Sequence, residues 1–326
     1  MALPRSKYVI EGAIAVYHCT TRCVRRAFLC GRDRESGRNF SHRKKWIEER
    51  LCFLSSIFAV EVVDYSVMSN HYHVILRTRP DIVDTWTDYE VARRWLTLCP
   101  SSIRSKKTTI EEQIHNLSLC TDRIAQLRKR LSNLSWFMKQ LNEFIARAAN
   151  KEDDVKGRFW ESRFKCQVLL DDGAIASCMV YVDLNPIRAG LAETPEVSDF
   201  TSIQRRIRDW QNSSNKTVPV VERWLCPIER KAGQYGILPM SEAEYFELVD
   251  ASGRLIRSDK RGSIDSKLEP ILQRLKSREE AWVHTVTDFS RMFGLVVGTP
   301  SRMADFADQI GKKWFVGSTA AQQAFN

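Results

Sequence analysis

Two histidines separated by one residue, His71 and His73, lie in a run of mainly apolar and β-branched residues from 66 to 76. Residues two apart project from the same face of a strand, so both imidazoles are expected to point the same way. Neighbouring imidazoles on a rigid strand can form half of a metal site. The spacing alone also fits a polar strand face or a hydrogen-bonded histidine pair. No partner pattern accompanies the other histidines, for which no role is predicted: His18, His42, His115 and His284.

A second pair of residues that can do chemistry, Tyr181 and Asn185, stands at the end of a predicted helix over about 173–184. Residues four apart share a helical face, so a phenol hydroxyl and a carboxamide are presented together. Pro186 ends the helix, because proline has no amide hydrogen and disfavours helix at the residue before it. Taken separately, Tyr181 is typical of a half-buried core tyrosine and Asn185 of a turn residue.

Three segments of the chain resemble one protein family when they are taken in order. They read Met-Ser-Asn-His-Tyr-His-Val-Ile-Leu from 68 to 76, Gly-Arg-Phe-Trp-Glu-Ser-Arg-Phe from 157 to 164, and Tyr-Val-Asp-Leu-Asn-Pro-Ile-Arg-Ala-Gly-Leu from 181 to 191. This set resembles the single-tyrosine HUH transposases, and most closely the REP-associated tyrosine transposases. The resemblance covers roughly residues 8–205, is thin over 80–150 and is loose after about 215.

The resemblance implies a metal-dependent endonuclease and strand transferase that acts on single-stranded DNA at hairpin or repeat sequences. Tyr181 would attack the scissile phosphate and give a 5′-phosphotyrosine and a free 3′-OH. Mg²⁺ or Mn²⁺, held by His71, His73 and Asn185, would polarise that phosphate. With one catalytic tyrosine, the protein would act as a monomer or a homodimer.

Two other functions remain open. A relaxase or replication initiator could use the same catalytic core, although the chain has no P-loop motif that would indicate an initiator helicase. A non-catalytic protein that binds nucleic-acid hairpins could share the scaffold, but mere binding does not require the histidines, Tyr181 and Asn185 at this spacing.

The charge balance favours a polyanionic partner. The net charge is +10, from 50 Lys and Arg against 40 Asp and Glu, which indicates nucleic acid before a membrane surface. Arg158, Arg163 and Lys165 are candidate phosphate contacts, although ion pairs on a strand edge explain them equally well. Trp160 is a candidate platform for base stacking, with a core position favoured. Glu161 is a candidate partner for one of the histidines.

Hydrophobic periodicity indicates how these residues are positioned. It predicts a first strand over 13–20, a helix over 42–58, and a hairpin of strands over 60–68 and 71–77. Helices over 87–98, 110–131 and 135–149 follow, then a strand over 164–170 and helices over 173–184 and 201–210. The family resemblance implies an α+β fold with a ferredoxin-like (RRM-like) antiparallel sheet and packed helices, and the predicted order agrees with it. We expect a catalytic domain over 1–210 with a helical insertion at about 80–150, and a mainly helical extension over 211–326. An arginine- and lysine-rich stretch at 253–262 is either a reader of DNA hairpins or a solvated loop.

Composition restricts the class of protein further. An apolar fraction of 43% and nine tryptophans indicate a folded globular protein. Nine cysteines without a Cys-x-x-Cys pair argue against a zinc ribbon and against a disulfide scaffold. Neither a signal peptide nor a run of membrane-spanning length is evident, so we expect a cytoplasmic protein.

Overall fold

The described strands form a five-stranded sheet in the order β2-β3-β1-β4-β5. The computed structural model describes residues 4–24, 29–32, 37–100, 108–214, 224–230, 236–256, 289 and 293–325. The strands are β1 (Ala15–Arg22), β2 (Val60–Val67), β3 (His71–Thr78), β4 (Lys165–Leu169) and β5 (Val296–Val297). Strand β1 lies between β3 and β4 and is antiparallel to both, and β2 and β3 form an antiparallel hairpin. This is the predicted ferredoxin-like arrangement in an α+β fold.

One edge of the sheet differs from a purely antiparallel one. Strand β5 pairs in parallel with β4, with Val168 opposite Val296 and Leu169 opposite Val297. A parallel neighbour must come from a distant part of the chain, because a tight turn cannot connect parallel strands. The C-terminal extension supplies it, and a two-residue strand carries little sequence signal of its own.

The helices follow the predicted order, but the short helices α2 and α8 were not predicted and one predicted helix is divided in two. They are α1 (Arg43–Ile57), α2 (Pro80–Thr85), α3 (Asp88–Leu98), α4 (Ile110–Ser118), α5 (Thr121–Leu131), α6 (Leu134–Glu152), α7 (Asp172–Asp183), α8 (Asn185–Arg188), α9 (Ser202–Ser214), α10 (Glu242–Ile256), α11 (Pro300–Gln309) and α12 (Ser318–Ala324). Short 3-10 turns occupy Arg5–Lys7 and Pro195–Val197.

The break separates α4 from α5 inside a region that periodicity reads as one helix over 110–131. Side chains at the end of α4 bond to carbonyls of its last turn, with Ser118 Oγ donating to His115 O (2.7 Å) and Cys120 Sγ to Asn116 O (3.5 Å). The ladder continues as far as Leu119 N, which bonds to His115 O (3.3 Å), but Cys120 N donates to Leu117 O (3.1 Å) and not to Asn116 O, so the regular α-helical bonding stops there. The apolar stripe persists across the break, which is why the period alone did not reveal it.

The two faces of the sheet carry different helices. On one face, Tyr72 of β3 donates a hydrogen bond from its hydroxyl to Asn142 Oδ1 of α6 (2.7 Å), so the helical insertion packs there. On the other face, His73 contacts the ring of Tyr181 from α7. The alternation of strand residues thus sends His71 and His73 towards the tyrosine helix, as their spacing predicts.

Described parts of the C-terminal extension pack on the remainder of the chain. Cys226 N donates to Val62 O of β2 (2.8 Å), and Arg77 Nη1 of β3 donates to Gly236 O (3.0 Å). The boundary at about 210 stays a prediction, and most of the basic stretch at 253–262 lies outside the described residues. Among the helices that the structure describes, none has both the length and the apolar character needed to cross a bilayer.

Candidate functional site

The histidine pair lies at the start of β3, and the two rings are close to each other. The ring centroids of His71 and His73 are 5.0 Å apart at an interplanar angle of 75°. His73 is only 4% exposed, whereas His71 is half-buried. The strand therefore presents one imidazole at the rim of the site and one in its floor.

His73 belongs to a chain of hydrogen bonds that crosses three strands. Its Nδ1 lies 2.9 Å from Nε2 of His18 on β1, and the two rings are nearly parallel, with their centroids 5.1 Å apart. Nδ1 of His18 lies 2.7 Å from Oε1 of Gln167 on β4. Gln167 Nε2 donates to the carbonyl oxygens of Phe293 (3.0 Å) and Gly294 (2.7 Å) just before β5. The floor of the site is thus connected to the C-terminal extension.

Shorter-range partners complete the surroundings of the two rings. Asn70 Oδ1 lies 2.5 Å from Nδ1 of His71. The hydroxyl of Thr20 lies 3.3 Å from Nδ1 of His73 and 3.5 Å from Nε2 of His18. Both histidines of the predicted metal pair therefore have a polar partner at Nδ1.

All three imidazoles of the site favour the neutral form. Burial lowers the pKa of His18 to about 4, and burial followed by the charge of Arg22 lowers the pKa of His71 to about 4. The pKa of His73 lies well below its ordinary value because of burial first, and then because of the neighbouring imidazoles, Arg22 and Arg188. A neutral imidazole keeps one lone pair, which is the form that ligates metals.

Tyr181 lies directly above the histidine floor. Its ring centroid is 5.5 Å from that of His73 and 6.1 Å from that of His18, edge-on to both. Phe289 of the C-terminal extension stacks on the other side at 5.3 Å, and the guanidinium carbon of Arg188 lies 5.1 Å from the ring centroid. Tyr181 is 7% exposed. The structure thus brings the candidate nucleophile together with the candidate metal ligands.

Asn185 is fixed relative to Tyr181 by a hydrogen bond. Its Nδ2 donates to the main-chain carbonyl of Tyr181 (2.9 Å), one helical turn earlier. This bond occupies the amide nitrogen and leaves the oxygen, the atom that can ligate a hard cation, as the available group. The role of Asn185 as a third ligand stays a prediction.

The start of the tyrosine helix is held by one aspartate that serves two elements. Asp171 Oδ1 accepts from Ala174 N of α7 (2.9 Å), which is an N-cap interaction. Its Oδ2 accepts from Thr299 N (2.6 Å), just beyond β5. Gly298 leaves no space here, because a Cβ on it would lie 2.9 Å from Cβ of Leu170. The C-terminal segment and the tyrosine helix are therefore joined at this point.

The end of the tyrosine helix is held by a buried carboxylate, Asp183. Its Oδ2 accepts from the hydroxyl of Tyr245 (2.7 Å), and its Oδ1 accepts from Ile203 N (3.1 Å) and Ser202 Oγ (3.3 Å). Asp64 of β2 is its electrostatic neighbour, and both carboxyl groups are completely buried. These contacts fix the turn that carries Tyr181 and Asn185.

The donor atoms present fit a divalent cation. Nε2 of His73 is buried and has no hydrogen-bond partner among the described atoms, as expected for a ligand lone pair. The described residues contain no cluster of three or more His, Cys, Asp and Glu side chains arranged to hold a metal, at this site or at any other. His18 does not add a third imidazole, because its Nε2 faces His73. Two imidazoles and a carboxamide suit Mn²⁺, or Mg²⁺ with water and phosphate oxygens completing the shell.

Three of the four predicted nucleic-acid contacts line one groove. Arg158, Trp160 and Arg163 face a cavity of about 490 Å³ beside α6, to which Arg5 and Lys139 also contribute. The lining contains four cationic side chains and one carboxylate, together with aromatic rings. The fourth predicted contact, Lys165, lies instead on β4 opposite Thr20, next to the histidine face of the sheet.

Trp160 is both packed against its neighbours and part of the groove lining, and a role in base stacking stays a prediction. Its ring packs edge-on against Tyr72 (5.8 Å) and Phe159 (4.8 Å), and its Nε1 donates to Asn142 O (2.8 Å). The side chain is therefore partly core while its remaining surface lines the groove. Glu161 is exposed, and its main-chain amide bonds to Arg22 O (2.9 Å). The partners at Nδ1 of the histidine pair are Asn70 and His18 instead.

Three residues of the site carried no signal in the sequence that assigned them to it. His18, Gln167 and Phe289 come from β1, β4 and the C-terminal extension, and they meet at the site only through the strand register and tertiary packing. Arg188 lies within the tyrosine motif and could have been nominated as a cation close to the nucleophile. The register His18 opposite Gln167 could not have been obtained from periodicity alone.

Comparisons with known proteins give one structural similarity. No protein-family model matches the chain, and no curated protein matches it. Among solved structures, the chain is similar to a REP-associated tyrosine transposase bound to a REP hairpin, with a TM-score of 0.38 and 12% identity over 74% of this chain and 100% of the other. The matched protein belongs to the group that the sequence motifs resemble. The assignment of chemistry to this chain rests on its own residues.

Proposed function

We propose that this protein is a metal-dependent endonuclease and strand transferase that cuts single-stranded DNA next to a hairpin, with Tyr181 as nucleophile. One observation carries the proposal: the ring of Tyr181 lies 5.5 Å from that of His73, whose buried Nε2 has no hydrogen-bond partner among the described atoms. The ring of the candidate nucleophile is thus next to a lone pair of the kind that ligates metals. A polar strand face would not need either of them in this arrangement.

The chemistry follows from the residue types. The phenolate oxygen of Tyr181 attacks phosphorus, the bond from phosphorus to the 3′ oxygen breaks, and a 5′-phosphotyrosine forms. The phenol proton passes to solvent, and the departing 3′ oxygen takes up a proton. A divalent cation, when bound by His71, His73 and Asn185, supplies charge stabilisation at the phosphate oxygens. Because the phosphodiester energy is retained, a 3′-OH can reverse the step and rejoin DNA.

The residues around Tyr181 prepare it for this step. Phe289 and the imidazoles contact its ring on several sides, which fixes the plane of the phenol. The positive charge of Arg188 lies 5.1 Å from the ring centroid and can stabilise an anionic phosphate near it. The buried contacts of Asp171 and Asp183 hold both ends of α7. Preorganisation of this kind lowers the cost of aligning the nucleophile.

The basic groove offers a place for DNA outside the reaction centre. Its cationic side chains can pair with phosphates, and its aromatic rings can stack on bases. The main-chain bond between Glu161 and Arg22 joins the groove wall to the end of β1, and Arg22 is the register partner of His71. DNA held in the groove would therefore reach the histidines by passing this end of the sheet.

An adduct assay tests the proposal. End-labelled single-stranded hairpin oligonucleotides from the flanks of the gene are incubated with the protein and Mn²⁺ or Mg²⁺, and a denaturing gel is scored for a protein–DNA adduct. We expect an adduct that requires metal and is absent from Tyr181→Phe and His73→Ala. The matched controls are Tyr89→Phe and His42→Ala, at two exposed residues away from the site. Tight binding without an adduct in either metal would contradict the enzyme and leave a hairpin-binding protein.

A further inference from the structure

The hydrogen bonds behind His73 have a defined direction that begins in the C-terminal extension. Gln167 Nε2 lies 3.0 Å and 2.7 Å from the carbonyl oxygens of Phe293 and Gly294. A carbonyl can only accept, so the amide must place its nitrogen there and its oxygen towards His18. Two main-chain carbonyls therefore set the orientation of the Gln167 side chain.

That orientation determines where the protons lie on the next two rings. The Gln167 oxygen accepts at 2.7 Å, so Nδ1 of His18 must carry the hydrogen. A neutral imidazole has one ring proton, so Nε2 of His18 is an acceptor, and Nδ1 of His73 at 2.9 Å must donate to it. The single proton of a neutral His73 is then on Nδ1. Its Nε2 consequently carries a lone pair.

The remaining neighbour, Thr20, is compatible with this pattern. Its hydroxyl lies 3.3 Å from Nδ1 of His73 and 3.5 Å from Nε2 of His18, both longer than the bond between the rings. A hydroxyl can accept from the first nitrogen and donate to the second at once. It therefore reinforces the direction and does not reverse it.

We infer that His18 and Gln167 are positioning residues, which hold His73 in the tautomer that presents the Nε2 lone pair to a divalent cation. We call the hydrogen bonds that run from the carbonyls of residues 293 and 294 through Gln167 and His18 to His73 the histidine relay. The two carbonyls are its fixed end. Asn70 provides the equivalent contact for His71, since its oxygen lies 2.5 Å from Nδ1 of that ring. The role in metal binding presupposes the proposed function, whereas the protonation pattern of the metal-free protein does not.

The relay also gives the C-terminal extension a specific task at the site. Residues before β5 contribute no ligand, yet their carbonyls decide which way the Gln167 amide faces. Without that constraint the amide can rotate, and both tautomers of His73 become accessible. The Nε2-protonated tautomer cannot bind a metal through Nε2. Loss of such outer partners typically weakens metal binding about 10- to 100-fold.

The first experiment measures the tautomers directly in the metal-free, full-length protein. Long-range ¹H–¹⁵N NMR spectra of ¹⁵N-histidine protein near neutral pH distinguish protonated from unprotonated ring nitrogens, and His→Phe variants assign the signals. We expect Nδ1 to be protonated on both His18 and His73, the reverse of the form that free histidine prefers. A wild-type His73 with its proton on Nε2 would overturn the inference.

The second experiment measures Mn²⁺ binding from the loss of the free-ion signal in electron paramagnetic resonance. His18→Phe keeps the ring and Gln167→Met keeps the side-chain length, and we expect each to bind Mn²⁺ about 10- to 100-fold more weakly. The control His42→Phe should bind as the wild type does. Unchanged Mn²⁺ affinity and an unchanged His73 tautomer in His18→Phe would overturn the positioning role. A wild type with the expected tautomers that binds no Mn²⁺ would instead refute the proposed function and the role with it.

Discussion

The buried carboxyl pair behind the tyrosine helix should give this protein a pH-dependent stability that Asp64→Asn removes. Asp64 on β2 and Asp183 on α7 are both completely buried. Burial raises the pKa of Asp64 well above 3.8, and the charge of Asp183 raises it further, against a smaller lowering effect of Arg206. Burial raises the pKa of Asp183 to about 6, although Tyr245 and Arg206 oppose the shift. In the folded protein, burial and the charge of Asp183 therefore favour the protonated form of Asp64.

The magnitude follows from proton linkage. A carboxyl group with a raised pKa in the folded state contributes stability below its unfolded pKa, and this contribution is lost as pH rises through the folded pKa. While Asp64 keeps its proton in the folded protein and releases it on unfolding, the free energy of unfolding falls by about 1.4 kcal/mol per pH unit.

The assay is urea unfolding followed by tryptophan fluorescence at several pH values. The carboxamide introduced by Asp64→Asn has no proton to release. The free energy of unfolding of the variant should therefore fall less steeply with pH than that of the wild type, by about 1.4 kcal/mol per pH unit. The stability of the variant relative to the wild type should increase as pH rises. Asp84→Asn, at an exposed residue of α2, is the control, and its free energy of unfolding should change with pH as that of the wild type does. Parallel curves for Asp64→Asn and the wild type would refute the reasoning, because Asp64 would then be ionised in the fold.

Further predictions concern the helix anchor, the groove and the metal. Asp171→Ala should lower the free energy of unfolding by about 2 kcal/mol, about 1 for the N-cap and about 1 for the bond to Thr299. Thr109→Ala, which removes only an N-cap, should lower the free energy of unfolding by about 1 kcal/mol. If urea unfolding gives the same loss for both variants, Asp171 does not stabilise the bond to Thr299 in addition to the cap. Replacement of Arg158 and Arg163 by Gln should weaken hairpin binding in fluorescence anisotropy and reduce its salt slope by about 1.5, unlike Arg123→Gln. Chelation by EDTA should abolish the adduct and leave the circular dichroism spectrum unchanged, with recovery in excess Mn²⁺; an adduct that persists would exclude a metal-dependent reaction.

The parts of the fold that depend on local pattern could be predicted from the sequence. The period of two places His71 and His73 on one face. The tyrosine helix ends at Asp183, one residue before its predicted end, although Asn185 and Pro186 lie in the first turn of α8 and do not stop helical structure. The hairpin of β2 and β3 follows from two adjacent β-prone runs. These features are determined by residues close together in the chain, so a single sequence contains their signal.

The parts that depend on register could not be predicted in this way. His18 reaches His73 because β1 pairs with β3 in a register that places His18 opposite Ile75 and Thr20 opposite His73. Gln167 enters through the pairing of β4 with β1. Nothing local to His18 distinguishes it from His42 or His115. Tertiary contacts between distant segments therefore supplied the part of the site that governs the state of its histidines.

The central claim is that Tyr181 becomes covalently linked to DNA, and peptide mapping tests it most directly. The adduct formed with a hairpin oligonucleotide and Mn²⁺ is digested with protease and nuclease, and mass spectrometry locates the residue that carries the nucleotide. The proposed function predicts a 5′-phosphoryl nucleotide on the peptide that contains Tyr181 and on no other tyrosine peptide. A nucleotide on a different residue, or cleaved DNA with no linked peptide, would contradict it.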